Sequence, residues 1–108
     1  MTEQQGPVAE RLDEKIEFVT GGIVSKELVE GDFGEVGLYC MSAGKVMSEH
    51  TSSRNAVVHY IKGKGRIKLG DQWHDAEPGS WFFMPAGLLH ALEAREDTVF
   101  LLTLFGPG

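Results

Sequence analysis

Short apolar segments alternate with turn-forming residues along nearly the whole chain. The segments are rich in β-branched and aromatic residues, and Gly, Pro, Asp or Asn separates most of them. They read GGIVSKELVE, EVGLYCMS, NAVVHYIK, GRIKLG, QWHDA, SWFFMP, LLHALEA and TVFLLTLF. No long segment repeats the 3.6-residue period of a helix. The pattern therefore predicts an all-β sandwich or barrel made of short strands and tight turns.

Turn residues indicate where the chain reverses. The segment IKGKGRIKLGDQWHD predicts two tight reversals, at residues 63–65 and 70–71. Proline and glycine predict two further breaks, at residues 78–79 and 85–87. Before the first strand, ERLDEKIEF predicts either one helical turn or the approach to a strand.

The last segment, TVFLLTLF, is apolar on both faces. Such a strand is either central in a sheet or covered by a partner subunit. Because a small barrel has little interior in which to bury both faces, we expect a partner subunit to cover part of it.

Length and charge narrow the classes of protein. A chain of 108 residues predicts one domain, which we assign to residues 11–108 after a flexible segment of residues 1–10. The net charge of −6 disfavours nucleic acid as a partner. The polar start lacks the apolar core of a signal peptide, and no run is long enough to span a bilayer. We therefore predict a cytoplasmic protein without a membrane partner.

The lone Cys40 is expected to be a small buried hydrophobe.

Two stretches are similar to the paired motifs of the cupin superfamily. In the first, Gly44 is followed by five residues and then His50, and Gly63 closes the motif at the expected distance. The second motif is matched in order and spacing by Gly79, Pro85, Gly87 and His90. The resemblance covers residues 44–94 and implies a double-stranded β-helix, or jelly-roll cupin barrel.

The motif positions that hold metal ligands in many cupins are only partly filled. The resemblance implies ligands at His50 and His90, whereas Ser52 replaces the second histidine of the first motif and Ala56 its glutamate. Ala94 replaces the asparagine that ends the second motif. Because a catalytic transition-metal site usually has about three protein ligands, two histidines make a weak or non-standard site.

Strand alternation separates inward from outward residues around these histidines. If Ala56 points inward, Val58 and Tyr60 do too, and His59 points outward unless a bulge intervenes. His74 lies outside both motifs and is expected on the surface of a hairpin. The predicted inward set, with two imidazoles at one end, is His50, Ser52, Ala56, Val58, Tyr60, His90 and Leu92.

Several functions stay open for this set. His50 and His90 can hold a divalent metal such as Zn, Fe, Mn or Ni, contact a ligand without metal, or complete the core. The first hypothesis is a small-molecule-binding module, with Ser52, Val58, Tyr60 and Leu92 lining its pocket. The second is a metal-dependent dioxygenase, decarboxylase or isomerase that uses both histidines. A third is a subunit or regulator acting through its surface. The resemblance also implies a homodimer, which forms through the N-terminal and outer-sheet strands.

Overall fold

The computed structural model describes residues 6–106, which form nine β-strands and one short 3-10 helix. The helix is Leu12–Lys15, the helical turn that was one of two predictions for this segment. The strands are β1 Ile23–Gly31, β2 Gly34–Met41, β3 Val46–His50, β4 Asn55–Lys62, β5 Gly65–Leu69, β6 Gln72–Ala76, β7 Trp81–Met84, β8 His90–Ala94 and β9 Thr98–Phe105. Within this range no helix is long and apolar enough to cross a membrane. Residues 1–5 of the predicted flexible segment lie outside the described part of the chain.

The strands form two antiparallel sheets. One has five strands in the order β1-β2-β9-β4-β7, and the other has four in the order β3-β8-β5-β6. Across the described residues the two sheets are not hydrogen-bonded into a closed barrel. The all-β double-stranded β-helix is confirmed, and its architecture is that of two facing sheets rather than a continuous cylinder.

Apolar side chains from the facing sides of both sheets fill the space between them. Tyr60 and Phe100 stack with ring centroids 5.4 Å apart, and Tyr39 stacks on the other side of Phe100 at the same spacing. Alternation along each strand selects the members of this core. They are Met41, Ala56, Val58, Tyr60, Ile67, Ala76, Met84, Leu92, Ala94 and Phe100.

A second, smaller cluster lies on the outer side of the five-stranded sheet. Leu38, Cys40 and Val99 are fully buried there, and Ile16 and Phe18 of the N-terminal segment pack against them. β9 is the central strand of its sheet, so the chain itself covers both faces at its N-terminal half. Residues 98–100 of β9 are thus buried within the single chain and residues 101–105 are half-buried, while coverage of this strand by a partner subunit stays a prediction. Cys40 is buried, as predicted.

Gly63 makes the β4–β5 turn possible. Its φ of 81° lies in the left-handed region, and a Cβ at this position would overlap the carbonyl oxygen of Asp97. Only glycine satisfies both conditions. This turn lets β5 leave the five-stranded sheet and join β8 in the other one.

Candidate functional site

His50 and His90 lie side by side on neighbouring strands. They are directly opposite each other in the β3–β8 ladder, and their ring centroids are 4.2 Å apart at an interplanar angle of 62°. The two residues are 40 positions apart in sequence, so only the pairing of β3 with β8 brings them together. The structure thus unites the two histidines that the motifs singled out.

Both rings are held in one tautomer by the same kind of hydrogen bond. Nδ1 of His50 is 2.7 Å from the carbonyl oxygen of Ser48, and Nδ1 of His90 is 2.9 Å from that of Leu88. A carbonyl oxygen only accepts, so Nδ1 of each ring carries the proton and donates it. With that proton on Nδ1, Nε2 is the nitrogen of each ring that can offer a lone pair.

The two rings differ in exposure. His90 is 5% exposed, whereas His50, at the last position of β3, is exposed to solvent. Burial lowers the pKa of His90, the Leu88 carbonyl partly opposes this, and the neighbouring His50 lowers it further. Neutral His90 is consequently favoured at pH 7, which suits a metal ligand or a hydrogen-bond acceptor.

The other motif positions add no ligand. Ser52 is half-buried, and its hydroxyl oxygen accepts a hydrogen bond from the backbone N–H of Arg54. Ala56 and Ala94 are buried in the core. Within residues 6–106, no third His, Cys, Asp or Glu joins His50 and His90 in a group compact enough to hold a metal. The donor set is therefore two imidazole nitrogens, which is suitable for a transition metal but incomplete for a typical catalytic site.

The remaining histidines lie elsewhere. His59 is exposed on β4, as strand alternation predicts, and pairs with Trp81 of β7. His74 is exposed on β6, with its ring centroid 6.2 Å from that of Phe82. The structure thus brings neither ring into the pair formed by His50 and His90.

Three residues predicted to line a ligand pocket are packed inside the core. Val58, Tyr60 and Leu92 are 1%, 1% and 3% exposed. Burial raises the pKa of Tyr60 to about 12, so its phenol stays protonated at neutral pH. The packed core fills the space beside these side chains, and a bound molecule would need that space to contact them. Their role in binding a ligand stays a prediction.

Sequence reasoning missed a cavity of about 180 Å³ on the core-facing side of the five-stranded sheet. Its lining combines polar side chains with one phenol and two leucines: Ser25, Lys26, Glu27, Glu35, Gly37, Tyr39, Leu102 and Leu104. The available signal was the alternation in EVGLYCMS, which puts Glu35, Gly37 and Tyr39 on one face. Gly37 has no side chain to fill the space between its neighbours.

Three carboxylates meet beside this cavity. Oxygen atoms of Glu27, Glu30 and Glu35 lie within 4.8 Å of one another, and Glu27 and Glu30 are exposed. Exposed acidic groups of this kind are common without a bound ion. We therefore assign them no binding role.

Comparison with known proteins identifies the fold and the family. A family model described as "Cupin domain" matches residues 37–105. An uncharacterized protein of Streptomyces coelicolor, SCO3923, is 28% identical over 72 residues, which are 67% of this chain and 69% of that protein.

Two solved structures illustrate the range of proteins with this fold. A conserved Streptococcus pyogenes protein of unknown function, SPY1581, has a TM-score of 0.83 at 23% identity, covering 96% of this chain and 91% of its own. The DMSP lyase DddQ of Ruegeria pomeroyi has a TM-score of 0.73 at 18% identity, covering 78% and 47%. At these identities the structures support the fold alone. The family model, which spans more than half of the chain and includes both histidines, shows that this protein belongs to the cupin family.

Proposed function

We propose that this cupin binds a small organic molecule where His50 and His90 meet. The observation that carries the proposal is the matched pair of Nδ1–H hydrogen bonds to Ser48 and Leu88, which leaves two neighbouring Nε2 acceptors. A hydroxyl or amine of a ligand can donate to such acceptors, and the exposed His50 gives access from solvent.

A divalent transition metal is the second candidate occupant. His50 and His90 would hold it through Nε2, and the metal would supply Lewis-acid chemistry toward a bound oxygen ligand. The carbonyls of Ser48 and Leu88 would orient both rings for the metal, because metal-binding histidines usually donate their other ring N–H to such an acceptor. Because Ser52 and Ala56 replace two ligands, we expect this metal to bind more weakly than in a site with three or four protein ligands.

The alternative function is a metal-dependent dioxygenase, decarboxylase or isomerase. It is favoured by the two free imidazole nitrogens, and a neighbour of similar fold, DddQ, is named a lyase. The binding module ranks first because the hydroxyl oxygen of Ser52 already accepts a hydrogen bond from the backbone N–H of Arg54, and Ala56 has no ligand atom.

The metal content of protein purified without chelator or affinity tag separates these functions. Stoichiometric metal by elemental analysis would favour the enzyme, and no metal after incubation with Mn, Fe, Ni, Cu and Zn would favour the module. If metal binds, changing both His50→Ala and His90→Ala abolishes its uptake. The matched control, His59→Ala, retains the metal because His59 lies on another strand and is exposed. Undiminished metal in the double variant would contradict the site assignment.

The binding module is tested by thermal shift with a small-molecule library and metal-free protein. A ligand that contacts the histidine pair raises the melting temperature of the wild type and has a much smaller effect on the double variant. A library ligand with the same shift in both proteins would place its site elsewhere. The cavity lined by Tyr39 and Leu102 would then be the next location to test.

We also propose that the protein is a cytoplasmic homodimer without nucleic-acid or membrane partners. Support for the dimer comes from β7, an edge strand with Trp81 61% and Phe83 44% exposed. Large apolar side chains grouped at a sheet edge are typical of protein interfaces. The net charge of −6 supports the absence of nucleic acid.

A further inference from the structure

A bulge in β3 decides which side chain lies beside His90. Met47 is opposite Leu92, so a regular antiparallel ladder would continue with residue 48 opposite Ala91 and Glu49 opposite His90. The observed partner of His90 is His50, one residue further along. The extra residue moves the side chains that follow it to the opposite face of the sheet, because each one-residue shift in a strand reverses the face.

The bulge therefore places an imidazole, instead of a carboxylate, beside His90. In the regular register Glu49 would share the core-facing side with His90, and His50 would point to the outer face. In the bulged register Glu49 is on the outer face, where its Oε2 is 2.9 Å from Nζ of Lys68. The histidine pair therefore exists only in the bulged register.

The ion pair between Glu49 and Lys68 spans a whole strand. Glu49 belongs to β3, at the edge of the four-stranded sheet, and Lys68 belongs to β5, with β8 lying between them. Lys68 is opposite Ala91 of β8, a small side chain that is 4% exposed. The methyl group leaves room for the longer side chains to meet above it. The Lys68 side chain is 24% exposed, which shields the pair partly from solvent.

We propose that Glu49 and Lys68 are positioning residues that hold β3 in its bulged register and so keep the His50 ring beside His90. The inference rests on the proposed role of the histidine pair. His50 is the last residue of an exposed edge strand, so few other contacts fix its ring. The carbonyl that orients this ring belongs to Ser48, inside the bulge itself. Loss of the ion pair frees both Glu49 and that carbonyl.

The same sheet offers a matched control. Arg66 and Glu93 form a pair of the same 2.9 Å length, with comparable exposure, between adjacent strands β5 and β8. This pair does not involve β3. Glu93→Gln therefore removes a similar ion pair while leaving the bulge untouched.

The test compares Glu49→Gln, Lys68→Met and Glu93→Gln with the wild type by NMR of the imidazole nitrogens. We expect His50 to lose its single Nδ1–H tautomer in the first two variants and to keep it in Glu93→Gln. Exchanging the charges, with Glu49→Lys and Lys68→Glu together, restores the wild-type signals. Unchanged His50 signals in both single variants, or an equal change in Glu93→Gln, would overturn the proposal.

Co²⁺ titration provides a second readout. We expect the first two variants to bind Co²⁺ about three- to fivefold more weakly than the wild type, the size of effect that a partly exposed ion pair exerts. High salt should weaken Co²⁺ binding to the wild type and leave these variants nearly unaffected. A wild type that binds no Co²⁺ contradicts the metal candidate of the proposed function, and the imidazole signals then decide the positioning role by themselves.

Discussion

A histidine in a strand can fill the core, face solvent or bind a ligand, and the surroundings of each ring decide between these roles. His59 and His74 are exposed, whereas His90 is buried next to His50. Burial and the adjacent ring both lower the pKa of His90. The folded protein therefore holds His90 neutral at a pH where the unfolded chain begins to protonate it.

This difference predicts a pH dependence of stability. Above the unfolded pKa of about 6.5, His90 is neutral in both states and contributes no pH dependence. As the pH falls below that value, the unfolded state binds a proton before the folded state does, so the free energy of unfolding decreases. We expect urea denaturation of the wild type between pH 7.5 and 5.5 to show this loss.

The His90→Gln variant should lose less stability over the same range, because glutamine does not titrate. If the free energy of unfolding changed equally with pH in the wild type and in His90→Gln, burial would not lower the pKa of His90.

At the scale of elements, turns and bulges determine which residues meet. The Gly63 turn moves the chain from one sheet to the other, and the β3 bulge puts His50 opposite His90. Gly63 has a positive φ and closely approaches the backbone of Asp97. Gly79, in the β6–β7 turn, has a φ of 95° and open space where a Cβ would be.

These two glycines form a matched pair for mutation. Gly79→Ala should cost about 1–2 kcal/mol from the left-handed backbone alone. Gly63→Ala adds a clash with a carbonyl oxygen, so we expect a loss of about 3 kcal/mol or more. Chemical denaturation of both variants measures the difference. Equal losses in the free energy of unfolding would mean that the β4–β5 turn relieves the clash with the carbonyl oxygen at no cost.

At the scale of the molecule, two facing sheets enclose one core, and the N-terminal segment covers part of the outer surface. Leu38, Cys40 and Val99 lie beneath that cover. Toward β7 the outer surface carries Trp81 and Phe83, with the Phe83 ring 6.4 Å from that of Phe105. Both faces of β9 are apolar, but only the outer one extends toward this exposed aromatic group.

We expect the wild type to sediment as a dimer whose interface includes the exposed Trp81 and Phe83. Changing Trp81→Ser and Phe83→Ser together should shift the protein to monomer without unfolding it, because both side chains are exposed in the single chain. Trp73→Ser is the control: Trp73 is exposed on the four-stranded sheet, where it packs against Arg66. Sedimentation velocity at micromolar concentration measures the change, and a monomeric wild type would contradict the proposed dimer.

The sequence by itself determined the all-β fold, the turn positions and the two histidines, because these depend on local patterns. Alternation put Val58 and Tyr60 in the core and His59 outside, and glycine and proline marked the reversals.

Tertiary structure alone decided the rest. It supplied the pairing of β3 with β8, the bulge that turns His50 toward His90, and the ion pair from Glu49 to Lys68 across β8. It also decided how tightly Val58, Tyr60 and Leu92 fill the space that alternation assigned to a pocket. The physical reason is range: alternation acts between neighbouring residues, whereas strand register, packing and cavities depend on contacts between segments far apart in the chain.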